Sequence, residues 1–172
     1  MKNGGTWWAV VPAAGVGSRF SSVIPKQYHF AAGVTLLDRV LTTLLEFSPI
    51  AGVVVSLHGN DSQWAESIHS NDERILTVAG GETRLESVLN AVSFLRSYAH
   101  SDDWVCVHDA ARPGLTHDLL EQIRAALIDE PVGAILGVPV VDTLKKVNSS
   151  GVILSTVDRS GMWCAQTPQV FR

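Results

Sequence analysis

Trp7-Trp8-Ala9-Val10-Val11-Pro12-Ala13-Ala14-Gly15-Val16-Gly17-Ser18-Arg19, closed by Pro25-Lys26-Gln27-Tyr28, decides the reading of this chain. The apolar run Trp7 to Val11 has the form of a buried strand, and it feeds directly into a glycine turn that carries an arginine and then a lysine. A strand delivering such a turn has the character of a phosphate-holding loop: backbone N–H groups face an anion and fixed positive charge faces it from the side. Gly15 and Gly17 have no Cβ, so an anion can approach the main chain closely, and both are free to take positive φ. Arg19 offers a planar fork to two phosphate oxygens, and Lys26, fixed behind Pro25, adds a point charge.

Two better-known phosphate loops do not fit. The third glycine of a dinucleotide-binding fingerprint would fall at Phe20, and no acid follows the second strand, where Leu57 and His58 stand. The Gly-Lys-Ser/Thr of a Walker loop is missing as well.

The wider pattern agrees with an α/β protein. Short runs rich in valine and isoleucine at Trp7–Val11, Gly52–Leu57, Ile75–Val78, Trp104–Val107 and Val132–Val138 suit strands covered on both faces. Helix-period segments lie between them at Leu36–Phe47, more weakly at Ser62–Ser70, and at Leu85–Tyr98 and Asp118–Ile128. Alternation of this kind predicts a parallel sheet with right-handed crossovers. Thr83-Arg84-Leu85-Glu86 reads as a capping box behind Gly80-Gly81, and Arg84 and Ser87 are expected to project from that first helical turn toward a ligand. Beyond Val138, residues 139–147 and 152–159 read as two strands around a polar turn, a long hairpin arm. His108-Asp109-Ala110-Ala111-Arg112-Pro113 follows the strand ending at Val107, where open α/β sheets place their chemistry. Asp109 there suits either a magnesium ion or a sugar hydroxyl, or an ion pair with Arg112 that shapes the turn.

Composition narrows the class. The 172 residues suit a single domain, and a net charge of -4 lacks the basic footprint of a nucleic-acid or membrane-surface binder. The apolar runs are too short to span a bilayer, and residues 1–6 have neither a secretion signal nor a transit pattern. Cys106 and Cys164 lack zinc-ligand spacing and read as reduced thiols, which together with the missing targeting pattern predicts a cytoplasmic protein.

The motifs Pro12-Ala-Ala-Gly-Val-Gly-Ser-Arg19, Pro25-Lys-Gln-Tyr28, Gly80-Gly-Glu-Thr-Arg84 with Ser87-Val88, His108-Asp-Ala-Ala-Arg-Pro113, Asp142-Thr-Leu-Lys145, Thr156-Val-Asp-Arg159 and Gln166-Thr-Pro-Gln-Val-Phe171 resemble, in order, those of the 2-C-methyl-D-erythritol 4-phosphate cytidylyltransferases. The resemblance implies a Rossmann-like, mostly parallel sheet of the nucleotide-diphospho-sugar transferase type, with helices on both faces and a protruding β-hairpin arm. It implies transfer of a cytidylyl group from CTP to 2-C-methyl-D-erythritol 4-phosphate with release of pyrophosphate, assisted by magnesium. Carried over residue by residue, it makes Arg19 and Lys26 catalytic and puts the triphosphate on the main chain of Ala13, Ala14 and Gly15 within the Pro12 to Gly17 loop. Gly81, Glu82, Arg84 and Ser87 fall at the nucleotide site, and Asp109, Arg112, Thr143 and Arg159 at the acceptor site. It further implies a homodimer in which the arm, residues 139–161, brings Thr143 and Arg159 to the neighbouring subunit's pocket. Family members continue past the Gln-Thr-Pro-Gln-x-Phe motif with an aspartate near the metal and a lysine near the substrate, so residues 1–172 are expected to form one nucleotidyltransferase domain without that segment. Competing expectations are a CTP-binding homologue without catalysis and a related pentitol phosphate cytidylyltransferase.

Overall fold

The computed structural model describes residues 5–15 and 24–172. Its centre is a six-stranded sheet made of β1 (Trp7–Pro12), β4 (Ile50–Leu57), β5 (Ile75–Ala79), β6 (Trp104–Val107), β7 (Gly133–Pro139) and β10 (Trp163–Phe171), in the order β5-β4-β1-β6-β10-β7. The first four in that order are parallel neighbours. β10 enters antiparallel between β6 and β7, pairing Gln169 with Val107 on one side and with Ile135 on the other. The sheet is therefore mostly parallel, and its last parallel strand is separated from the rest by a reversed one.

Helices cover both faces for a reason visible in the strands. In β1, Ala9 and Val11 point into one apolar cluster while Val10 points into another, and all three are fully buried. The first cluster is closed by α1 (Leu36–Glu46) and α3 (His117–Ala126), the second by α2 (Arg84–Leu95). Leu37, Val40, Leu41, Leu44 and Leu45 of α1 follow the helical period and form one buried stripe, each full burial contributing about 1.5–3 kcal/mol. Thr35 caps α1 by accepting from the Asp38 N–H at 3.0 Å, and Thr116 caps α3 in the same way from Leu119. The expected capping box at α2 is present in full: Thr83 accepts from the Glu86 N–H at 3.1 Å and Glu86 accepts from the Thr83 N–H at 2.9 Å.

Two expectations need correction. Residues 62–70 do not form a helix; only Trp64–Glu66 makes a single 3-10 turn. The Asp61 side chain accepts from the Gln63 and Trp64 N–H groups, and Ser67 donates to the buried Asp38, so side chains take over the backbone donors and spacing that a longer helix needs. The arm is also shorter than expected. Pro139 ends β7, and the hairpin proper is β8 (Leu144–Val147) paired with β9 (Ile153–Val157), a two-stranded sheet separate from the main one. A small hairpin absent from the sequence reading, β2 (Phe30–Ala31) and β3 (Val34–Thr35), turns through Ala32 and Gly33 at positive φ, 52° and 85°. No helix among the described residues is long and apolar enough to cross a membrane.

Candidate active site

Parallel strands β5, β4, β1 and β6 all run the same way, so the segments leaving their C-terminal ends share one edge of the sheet: Gly80-Gly81, His58-Gly59, Ala13 to Gly15, and His108 to Pro113. A pocket of about 340 Å³ opens there between three of them, lined by Ala14, Gly15, His58, Gly59, Gly80, Gly81 and Glu82.

Its walls require the two glycines at 80 and 81. A Cβ on Gly80 would stand 2.2 Å from the Ala14 Cβ, and one on Gly81 would stand 2.2 Å from the Glu86 Cβ. The β5–α2 connection thus lies directly against the β1 loop, with Gly80 N–H bonded to the Leu57 carbonyl at 2.8 Å. Gly15 differs from the expectation attached to it. Its φ is outside the left-handed region, and among the described residues no atom crowds the place where a Cβ would be.

Ser87 is turned into the fold rather than outward from the first helical turn. It is buried, accepts from the Gly81 N–H at 3.1 Å and donates to the Thr83 carbonyl at 3.0 Å, holding the glycine turn against α2. Arg84 is not on the pocket wall either; its Nε meets Asp109 at 2.8 Å. Ala13 is similarly committed. Its N–H bonds to the Ser56 carbonyl at 2.9 Å, its carbonyl accepts from Gln27 at 2.6 Å, and it is buried, so among the three loop residues Ala14 and Gly15 are the ones that line the pocket. Pro12 is the last residue of β1 and has no N–H to give. Lys26 is exposed on a 3-10 turn, Lys26–Tyr28, whose other two residues are buried. Gly17 and Arg19 lie outside the described residues.

The second cluster is built on the turn after β6. Asp109 holds Arg84 with one carboxylate oxygen and Arg112 Nε with the other, at 2.8 and 3.0 Å. Arg112 also donates to the Gln166 side-chain oxygen, and the Asp109 N–H donates to the Thr167 hydroxyl at 3.3 Å. His108, at 1% exposure, supports this turn from within by pairing Nε2 with the Arg112 carbonyl at 3.0 Å. Burial holds the His108 pKa below the ordinary histidine value, since a charged ring is poorly solvated there, although the Arg112 carbonyl partly opposes the shift. The ring is therefore neutral near pH 7, with its other nitrogen buried and without a hydrogen-bond partner among the described residues.

Asp109 was the candidate metal ligand. With both oxygens held by guanidinium groups it is the centre of an ion-pair triad, and no group of three His, Cys, Asp or Glu side chains is placed to hold a metal among the described residues. These residues do not fit a protein-held magnesium site. Thr143 and Arg159 are exposed at the base of the arm; Arg159 donates to the Val141 carbonyl, and neither side chain bonds to Asp109 or Arg112 within the chain.

Four residues of the site were not singled out from the sequence. His58 and Gly59 gave no signal beyond following a strand. Gln166 and Thr167 stand in a quoted motif, but their place beside Asp109 depends on β10 inserting next to β6.

Comparison with known proteins agrees with this geometry. The family model described as "IspD: 2-C-methyl-D-erythritol 4-phosphate cytidylyltransferase" matches residues 7–172. A 2-C-methyl-D-erythritol 4-phosphate cytidylyltransferase of Pseudomonas putida (strain GB-1) is 48% identical over 167 residues, which cover 96% of this chain and 71% of that protein. The fold superimposes on a solved 4-diphosphocytidyl-2C-methyl-D-erythritol synthase with TM-score 0.82 and 35% identity, covering 97% of this chain and 74% of that one. It superimposes on the Francisella tularensis 2-C-methyl-D-erythritol 4-phosphate cytidylyltransferase with TM-score 0.81 and 33% identity, covering 97% of this chain and 72% of that one. With its sequence matched along nearly its whole length and its fold superimposing on solved members, this chain belongs to the 2-C-methyl-D-erythritol 4-phosphate cytidylyltransferase family.

Proposed function

We propose that the chain transfers a cytidylyl group from CTP to 2-C-methyl-D-erythritol 4-phosphate. The observation that carries the reading is the pocket at the ends of β1, β4 and β5, where glycine main chain at 15, 80 and 81 meets the start of a capped helix. Such a surface favours the main-chain readout of a nucleotide and its phosphates. In the reaction, an oxygen of the acceptor's 4-phosphate attacks the α-phosphorus of CTP in line. The bond to the β-phosphate oxygen breaks, and pyrophosphate leaves. Charge accumulates on the α-phosphate oxygens, so catalysis rests on positioning and fixed positive charge. Lys26 and, on the strength of the motif, Arg19 supply that charge, and the main chain of Ala14 and Gly15 holds the triphosphate. Magnesium enters this reading as the counter-ion of the triphosphate, not as an ion bound by Asp109.

Arg112 and Asp109 are the acceptor-side groups: the free donors of Arg112 suit a phosphate, and Asp109 suits a hydroxyl. The homodimer belongs to the same reading. Its support is the run of exposed apolar side chains at Val141, Val147, Val152, Ile153, Leu154, Met162 and Trp163, on or beside the arm, for which a second copy is a suitable cover. In that dimer, Thr143 and Arg159 complete the pocket of the other subunit.

Calorimetric titration with CTP, UTP and ATP, run beside a pyrophosphate-release assay with 2-C-methyl-D-erythritol 4-phosphate, tests the assignment. Preferential CTP binding and acceptor-dependent pyrophosphate release are expected. Equal affinity for UTP would refute the base preference, and CTP binding without release would select a binding protein over a transferase.

A further inference from the structure

Gln27 is a buried polar side chain beside an exposed lysine, and among the described residues its side chain makes one hydrogen bond, to the nucleotide loop. At 5% exposure, its amide Nε2 donates to the Ala13 carbonyl at 2.6 Å, across fourteen residues of chain. The next residue, Tyr28, is also buried and donates its hydroxyl to Asp61 at 2.7 Å, and its main-chain N–H closes the 3-10 turn on the Pro25 carbonyl at 2.9 Å. The backbone on the C-terminal side of Lys26 is thus anchored twice.

The geometry of the peptide unit extends this effect to Ala14. The Ala13–Ala14 peptide is trans and planar, so its carbonyl and its N–H point in opposite directions. With the carbonyl held by Gln27 on the core side, the Ala14 N–H is turned away from the core. Ala14 lines the pocket and Gln27 does not. Among the described residues no acceptor is paired with that N–H. A peptide free to rotate would average this donor over several directions, whereas a held one presents it to an incoming phosphate without reorganisation.

Resting on the cytidylyltransferase reading, we infer that Gln27 is a positioning residue of the reaction, whose amide aims the Ala14 N–H at the CTP phosphates and fixes Lys26 relative to it. A leucine at 27 keeps the bulk and removes the donor. A glutamate keeps the shape and sets an acceptor against the Ala13 carbonyl, which favours rotation of the peptide.

The test is a titration of magnesium-CTP into the wild-type chain, Gln27→Leu, Gln27→Glu and Leu44→Ala, with the Ala14 amide followed by 15N NMR. Leu44 is buried in α1, lines no part of the pocket, and supplies a destabilised comparison. Expected are a loss of CTP affinity of about tenfold or more in both Gln27 variants, the scale of one buried unpaired group, and a reduced CTP-induced shift of the Ala14 amide. Leu44→Ala should lose melting temperature yet keep both. If Gln27→Leu does not fold, Gln27→Glu and Gln27→Met carry the same test. Affinity within twofold of wild type and an unchanged Ala14 shift would overturn the inference and leave the proposed function standing. A wild-type chain that does not bind CTP would remove the proposed function, and this inference with it.

Discussion

The two ends of the sheet follow different physical rules. On one side, β4 and β1 are covered on both faces: Ala9, Val10, Val11, Val53, Val54 and Val55 have no exposed surface. On the β10-β7 side and the arm beyond it, Ile135, Val138, Ile153, Leu154 and Trp163 are half or more exposed, or close to it. The first side finishes its own core and can hold a loop in one conformation. The second presents apolar surface that the described residues leave exposed. Of the residues assigned to the acceptor, Asp109 and Arg112 follow β6, between the two sides, whereas Thr143 and Arg159 stand on the arm.

That contrast can be broken by measurement, and the largest effect is expected in the closed core. Leu44→Ala should cost about 2–5 kcal/mol in denaturant unfolding, the range for a fully buried leucine, whereas Ile135→Ala on the open side should cost less than about 1 kcal/mol. Equal costs would mean that the open side is packed as tightly as the other.

Chemistry should separate from stability at Lys26. Because its side chain is exposed, Lys26→Ala should leave the melting temperature nearly unchanged. Pyrophosphate release should fall by about a hundredfold, the scale of one lost charge-stabilising contact. Activity within threefold of wild type would remove Lys26 from the mechanism.

On the arm, Ile153→Asp places a charge in the apolar row and should shift light-scattering mass from dimer toward monomer. Leu85→Asp, at an even more exposed apolar position on α2, should not alter the mass. A monomeric wild-type chain at micromolar concentration would refute the covering role of a second copy.

A smaller effect concerns pH. Because the folded-state pKa of His108 lies below the ordinary value of 6.5, the unfolded chain binds the extra proton first. This contribution is intact above pH 6.5 and is lost as pH falls below it toward the folded value. His108→Asn should flatten that part of the stability profile; an unchanged slope would show that another group causes it. The smallest effect is expected at the Arg84–Asp109 pair, which is about half exposed on the arginine side. Arg84→Met should change unfolding free energy by under about 1 kcal/mol.

Strand and helix positions on the closed side were legible because burial imposes a period on the chain. Runs of valine and isoleucine marked β1, β4, β5 and β6, the stripe Leu37-Val40-Leu41-Leu44 marked α1, and Thr83 with Glu86 marked the start of α2. The glycine loop, the Gly80-Gly81 turn and the turn at Asp109 were legible for a related reason: each directly follows a strand, so chain order alone put them on one edge. The residues 62–70 misled because a weak apolar period was outweighed by Asp61 and Ser67, whose side chains capture backbone donors and a distant carboxylate.

By itself, then, the sequence determined what depends on a strong local period or an unambiguous local signal: the alternation of the main strands and helices, the capping box at Thr83 and the family. Tertiary structure decided what depends on which distant segments meet. It placed β10 between β6 and β7 and so brought Gln166 and Thr167 to Asp109; it bonded Ser87 to the Gly81 N–H and Gln27 to the Ala13 carbonyl; and it paired Asp109 with Arg84 and Arg112. A hydrogen bond or ion pair between residues decades apart leaves no periodic trace in the chain, because its geometry exists only once the strands between them have packed.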